Sequence, residues 1–155
     1  MAICEGETAP EFSLPSTEGK NISLADYRKK KNVVLYFYPK DDTPGCTKEA
    51  CDFRDALQRF NQKDTVILGV SADSISSHQS FQNKFKLPFP LLSDEKKETV
   101  KKYGVWKEKN MYGKKYMGVE RTTVVIDKEG KLLKIFPKVK VDGHVEEILE
   151  VLKQP

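Results

Sequence analysis

Six consecutive apolar or aromatic residues, Val33-Val34-Leu35-Tyr36-Phe37-Tyr38, offer no polar position to face water, so a strand built from them calls for cover on both faces. A second run, Thr65-Val66-Ile67-Leu68-Gly69-Val70-Ser71-Ala72, follows a helix-forming stretch that ends near Gln62. Right-handed crossover in such a strand-helix-strand unit makes the two strands parallel. Ser74 or Asp73 caps a further helix through Phe81 and Phe85 to a stop at Leu87-Pro88, and Pro90 to Asp94 is a short extended piece. Glu95 to Tyr103 reads as a short helix ended by Gly104. Thr122–Asp127 and Lys131–Phe136 flank the turn Lys128-Glu129-Gly130 as an antiparallel hairpin. Gly143 to Lys153 is an amphipathic helix with Val145, Ile148, Leu149 and Leu152 on one side. Phe12–Leu14 and Asn21–Leu24 suggest a small N-terminal hairpin. The expected fold class is α/β, a central mixed sheet with helices on both faces. With no repeat or linker in the sequence, residues 1–155 are read as a single domain.

The first strand runs into Pro39-Lys40-Asp41-Asp42-Thr43-Pro44-Gly45-Cys46, a turn-rich loop at the carboxyl end of a strand, where ligands of open α/β sheets lie. Pro44 and Gly45 break regular structure, and Thr47 to Phe60 carries an apolar series at Ala50, Phe53, Leu57 and Phe60. Cys46 therefore sits in or beside a first helical turn, where unpaired N–H groups and the helix dipole favour a thiolate. It projects within roughly 20° of Phe53, toward the inward face and a pocket floor. Cys51 is rotated by about 140° and displaced by about 7.5 Å, which sets the Cα atoms roughly 8.6 Å apart in an intact helix. A disulfide needs less than about 7 Å, so pairing these cysteines would require the first turns to unwind.

A bare Cys-x4-Cys is also the pattern of two small buried hydrophobes; the Thr43-Pro44-Gly45 lead-in favours redox chemistry. No metal site is expected, because the other candidates, Cys4, His78 and His144, are scattered. Both histidines are read as surface and Cys4 as a free thiol. Three cysteines in 155 residues do not make a secreted disulfide framework, and a chain of this length buries a core without one. The start lacks a basic segment followed by an apolar one, and the longest apolar run is too short to span a bilayer. A soluble, cytoplasmic protein is expected. The net charge of +4 is spread along the chain, which argues against nucleic acid and membrane as partners. Arg28–Lys31 reads as solvated surface. Trp106 to Tyr116, where aromatics alternate with lysines, reads as a loop rim over a pocket edge rather than a single-strand platform.

A thiolate attacking an O–O bond needs a way to hold both oxygens and donors for the departing one. Thr43, three residues before Cys46, and Arg121, at the entry to the Thr122 strand, are the candidates. Pro39-x3-Thr43-Pro44-Gly45-Cys46-Thr47 resembles the active-site signature of the peroxiredoxins. Thr47-x-Glu49-Ala50-Cys51-x-Phe53 resembles their bacterioferritin comigratory, or Q-type, subfamily. Gly6-x3-Pro10-x-Phe12, Gly69-Val70-Ser71 and Arg121-Thr122-Thr123-Val124-Val125-Ile126-Asp127 fall in family order, so the resemblance covers nearly the whole chain.

The resemblance implies a thioredoxin-like fold. It makes Cys46 the peroxidatic and Cys51 the resolving cysteine. It assigns peroxide binding and thiolate support to Thr43 and Arg121, a place in the substrate loop to Gly45, and a pocket shield to Pro39. Glu49 would orient polar groups; on sequence alone it is equally a solvated helix carboxylate. The implied activity reduces hydrogen peroxide and organic hydroperoxides to water and alcohols through a Cys46 sulfenic acid. A Cys46–Cys51 disulfide, reduced by thioredoxin or a similar dithiol, closes the cycle without a cofactor. A monomer is expected, since no long apolar surface is evident. The competing readings are a dithiol-disulfide oxidoreductase without peroxidase activity and a non-enzymatic binding or holdase module using Trp106–Tyr116.

Overall fold

The computed structural model describes residues 3–153. The chain opens with a small antiparallel pair, β1 (Ser13–Pro15) and β2 (Asn21–Ser23), and a 3-10 turn at Leu24–Tyr27. It continues through β3 (Asn32–Phe37), α1 (Pro44–Asn61), β4 (Thr65–Ser71), α2 (Ile75–Phe85), β5 (Leu91–Ser93) and α3 (Glu98–Lys102). Then follow β6 (Trp106–Met111), β7 (Lys114–Val119), β8 (Thr122–Ile126), β9 (Leu132–Phe136) and α4 (His144–Leu152). The central sheet has the order β5-β4-β3-β8-β9. β3, β4 and β5 are parallel, whereas β8 and β9 run antiparallel to their neighbours.

The apolar run of β3 divides its side chains between two cores, as its composition requires. Val33, Leu35 and Phe37 pack with Phe12, Leu14, Ile22, Val100 and Tyr103 from the N-terminal hairpin, α3 and the residue after it. Val34, Tyr36 and Tyr38 face Cys46, Ala50, Phe53 and Phe60 of α1, Phe81 of α2, and Ile148 and Leu149 of α4. The mixed sheet with helices on both faces thus has the expected form.

Three boundaries differ from the sequence reading. α1 begins at Pro44 rather than Thr47, because proline at the first helical position has no N–H to leave unpaired and its φ is already set. α3 begins at Glu98 rather than Glu95, since Lys97 is left-handed (φ 62°) and the Asp94 carboxylate accepts from the Val100 N–H at 2.8 Å. Trp106–Tyr116 is not a loop: it lies in the β6–β7 hairpin, joined by Tyr112 and Gly113, both at positive φ (54° and 79°) as a tight hairpin turn requires. This hairpin exposes Met111, Tyr112, Tyr116 and Met117.

Gly69 in β4 sits opposite Tyr36 of β3 and Leu91 of β5. A Cβ there would stand 2.9 Å from the Tyr36 ring and hydroxyl and from the Leu91 side chain. The missing side chain is what lets Tyr36 lie flat against Phe53, with ring centroids 4.6 Å apart. Gly69→Ala is expected to cost about 1–3 kcal/mol by overpacking, read as a lower urea midpoint at unchanged slope.

Candidate functional site

Cys46 is the third residue of α1 and is only 1% exposed, on the face that carries Ala50 and Phe53 into the core. Its inward orientation follows from the helical spacing. Thr43, in extended conformation (φ −101°, ψ 155°), precedes the helix, and its carbonyl accepts from the Thr47 N–H at 2.8 Å.

Arg121 reaches this thiol because of strand register. β8 pairs antiparallel with β3, with Thr122 opposite Phe37, so the residue before β8 lies beside the carboxyl end of β3. The Arg121 Nη2 donates toward Cys46 Sγ at 3.3 Å and Nη1 donates to Glu49 Oε1 at 2.6 Å. Gly45 makes room for this fork: a Cβ at that position would lie 3.0 Å from Nη2. The Arg121 backbone is tied as well, its carbonyl accepting from the Val139 N–H at 2.9 Å.

Glu49 is not the solvated carboxylate of the sequence alternative. It is 1% exposed, and its second oxygen, Oε2, has no hydrogen-bond partner. Burial pushes its carboxyl up from 4.5 to about 7, against Arg121, whose charge and hydrogen bond pull it down. Burial also disfavours the charge on Arg121, but Glu49 and Cys46 beside it outweigh that and raise its pKa.

The remaining sequence candidates are placed less directly. The Thr43 hydroxyl donates to the Lys40 carbonyl at 2.9 Å instead of to the thiol. Pro39 is half-buried just past β3. Cys51 is half-buried two turns or less along the same unbroken helix, and both it and Cys46 are free thiols. Cys4 is an exposed free thiol.

Sequence reasoning missed several buried polar groups. His78 is fully buried rather than on the surface, held between Asp41 and the Leu92 carbonyl. His144 is 1% exposed, with Nε2 2.7 Å from the Thr123 hydroxyl and Nδ1 2.7 Å from Glu147, fastening α4 to β8. A lone histidine carries no sequence signal of burial; only its tertiary partners reveal it. Lys109 of β6 also senses the site: burial and then Arg121 push its ammonium down, while Cys46 pushes it up. A cavity of about 540 Å³ at the base of the hairpin, lined by Tyr103, Trp106, Lys107 and Glu120 among others, includes neither Cys46 nor Arg121.

One guanidinium thus serves two acids in a dry setting, beside a helix N-terminus. Such an arrangement stabilises a thiolate and presents N–H donors next to it, which suits nucleophilic attack by sulfur.

Known proteins agree with this chemistry. Residues 6–135 match the model of the AhpC/TSA family. The chain is 55% identical over 149 residues to a putative peroxiredoxin bcp of Coxiella burnetii, covering 96% of this chain and 98% of that protein. It is 52% identical over 153 residues to peroxiredoxin Bcp of Bacillus subtilis, covering 99% and 97%. A structure of the bacterioferritin comigratory protein of Xanthomonas campestris, solved for insight into that protein's alkyl peroxide reduction activity, matches with a TM-score of 0.88 at 40% identity, covering 99% and 98%.

The raised Glu49 carboxyl has a consequence for stability. Between pH 4.5 and about 7 the folded state keeps a proton that the unfolded chain has released. Stability should therefore fall as pH rises through that window and level off above it. Glu49→Gln, which is neutral throughout, should remove this contribution, on the order of 3 kcal/mol, when denaturant unfolding is compared at pH 5 and pH 8.

Proposed function

The chain belongs to the AhpC/TSA family, among its Bcp and Q-type peroxiredoxins, and is a thiol peroxidase; we propose that Cys46 is its attacking thiolate and Cys51 its resolving thiol. The observation that carries the assignment is the Arg121 fork, with one nitrogen 3.3 Å from Cys46 Sγ and the other on buried Glu49.

The Cys46 thiolate attacks one oxygen of the hydroperoxide, the S–O bond forms as the O–O bond breaks, and the departing hydroxide or alkoxide takes up a proton. Arg121 donors stabilise the charge that builds on the departing oxygen. Glu49 holds the guanidinium in plane so that only one of its edges faces the sulfur. The Thr43 hydroxyl, a rotor that both donates and accepts, turns from the Lys40 carbonyl to the bound peroxide. Gly45 keeps the approach to Arg121 free of a side chain, and Pro39 shields the sulfur from water.

Cys46 leaves this step as a sulfenic acid. Cys51 then condenses with it, releasing water and forming the disulfide. In helix geometry the two Cα atoms are roughly 8.6 Å apart, beyond the reach of a disulfide of about 7 Å, so α1 must unwind between them. A thioredoxin-type dithiol returns both thiols by exchange. Hydrogen peroxide and organic hydroperoxides are both proposed as substrates, since the reaction needs only the O–O bond. No cofactor enters these steps. Cytoplasmic action as a monomer belongs to the same proposal; light scattering at working concentration tests the monomer. Among the described residues no helix is long and apolar enough to cross a membrane.

Rapid mixing of the reduced chain with stoichiometric peroxide, followed by thiol counting and intact mass, tests the scheme. Two thiols should be lost in seconds. Cys46→Ser should lose none, whereas Cys51→Ser should complete the first oxidation and accumulate sulfenic acid or its overoxidised products. Arg121→Gln should slow the first step by about 100-fold. Equal effects of the two cysteine substitutions on the first oxidation would contradict the order of the roles.

A further inference from the structure

The loop between β3 and α1 is gripped by a buried carboxylate that the thiol chemistry does not use. Asp41 is 7% exposed. Its Oδ1 accepts from the Tyr38 hydroxyl at 2.6 Å, and its Oδ2 accepts from the Ser77 hydroxyl at 2.7 Å and lies 2.7 Å from His78 Nδ1. His78 Nε2 is 2.8 Å from the Leu92 carbonyl, an oxygen that only accepts, so Nε2 carries a proton. The Asp41 N–H donates to Asp73 Oδ2 at 2.8 Å, and the same oxygen accepts from the Ser71 hydroxyl at 2.7 Å. One loop residue is thereby tied to the end of β3, the end of β4 and the first turn of α2, and through His78 to β5.

Oxygen and nitrogen atoms of Asp41, Asp73 and His78 lie within 4.8 Å of one another, a spacing that would also suit a cation. The hydroxyl and N–H donors already aimed at the carboxylate oxygens occupy the directions a cation would need, so the cluster is a hydrogen-bonded clamp rather than a metal cage.

The clamp sits two residues before Thr43 and five before Cys46. Between the clamp and Thr43, Asp42 adopts a left-handed conformation (φ 57°), and the Thr43 hydroxyl closes the turn on the Lys40 carbonyl. A left-handed non-glycine residue persists only where its surroundings enforce it. A buried polar network in which every member is paired is rigid enough to do so.

Resting on the roles given above to Cys46 and Cys51, we propose that Asp41, His78 and Tyr38 form a positioning device for the nucleophile. The clamp fixes the loop from which α1 starts, keeps the first turn wound while Cys46 meets peroxide, and gives the later unwinding a fixed upstream boundary. Its strength sets the balance between the wound helix, which reacts with peroxide, and the unwound one, which forms the disulfide.

The test separates those two steps. Tyr38→Phe removes one hydroxyl and keeps the ring, so it should fold; His78→Leu breaks the clamp, and His78→Gln restores a side-chain N–H donor. Quenched-flow mixing with hydrogen peroxide, read by intact mass, gives the rate of Cys46 oxidation, the rate of disulfide formation and the sulfinic fraction at high peroxide. Tyr38→Phe and His78→Leu should slow the first oxidation about tenfold by misplacing the thiolate. Disulfide formation should be as fast as in the parent or faster, with less sulfinic acid, and His78→Gln should recover part of the first rate. Should His78→Leu fail to fold, Tyr38→Phe decides alone. A lower melting temperature with all rates unchanged, or equal slowing of both steps, overturns the clamp. A parent chain inert to peroxide overturns the cysteine roles instead, and the clamp's function with them.

Discussion

Because β8 runs antiparallel to β3 with Thr122 opposite Phe37, the chain enters β8 at the same end of the sheet at which it leaves β3. That single pairing brings Arg121 to Cys46 across 75 residues of sequence. Had β8 been parallel, its first residue would lie a strand length away, about 16 Å for five residues. Every other feature of the site presupposes this register: the gap at Gly45, the fork of the guanidinium and the burial of Glu49 beneath it.

The electrostatics of the site follow from one cation shared by two acids in a place with little water. Arg121 cannot neutralise both Cys46 and Glu49 fully, and the orphaned Oε2 of Glu49 shows which group is short of partners. Burial favours a neutral Glu49, and a neutral Glu49 leaves the guanidinium to the sulfur. The carboxyl is therefore a counterweight as well as a brace.

The strands β3 and β4, the loop into α1 and the inward face of Cys46 were legible in the sequence, because each follows from a short-range pattern: unbroken apolar runs, Pro-Gly punctuation and a 3.6-residue period. The β6–β7 hairpin was not, since its strands are charged and mostly exposed and its turn is Tyr-Gly rather than Asn-Gly. His78 and His144 look like any surface histidine until Asp41 and Thr123 are brought to them by the fold. The start of α1 was misjudged because proline ends helices in most positions yet suits the first one. The hydroxyl of Thr43 is held by the loop carbonyl of Lys40, a contact that no spacing rule reports.

The buried face of α1 places Cys46, Glu49 and Ala50 in the segment between the two cysteines, whereas Phe53, Ala56 and Phe60 lie beyond it. Uncoiling that segment to join the sulfurs would draw both acids away from Arg121 together, leaving the aromatic anchors in place. The oxidised chain would then have lost its peroxide-binding geometry without losing its core. In the proposed cycle, disulfide formation and peroxide capture would then be mutually exclusive states of one helix, so that once the disulfide has closed, only the reductant could act next.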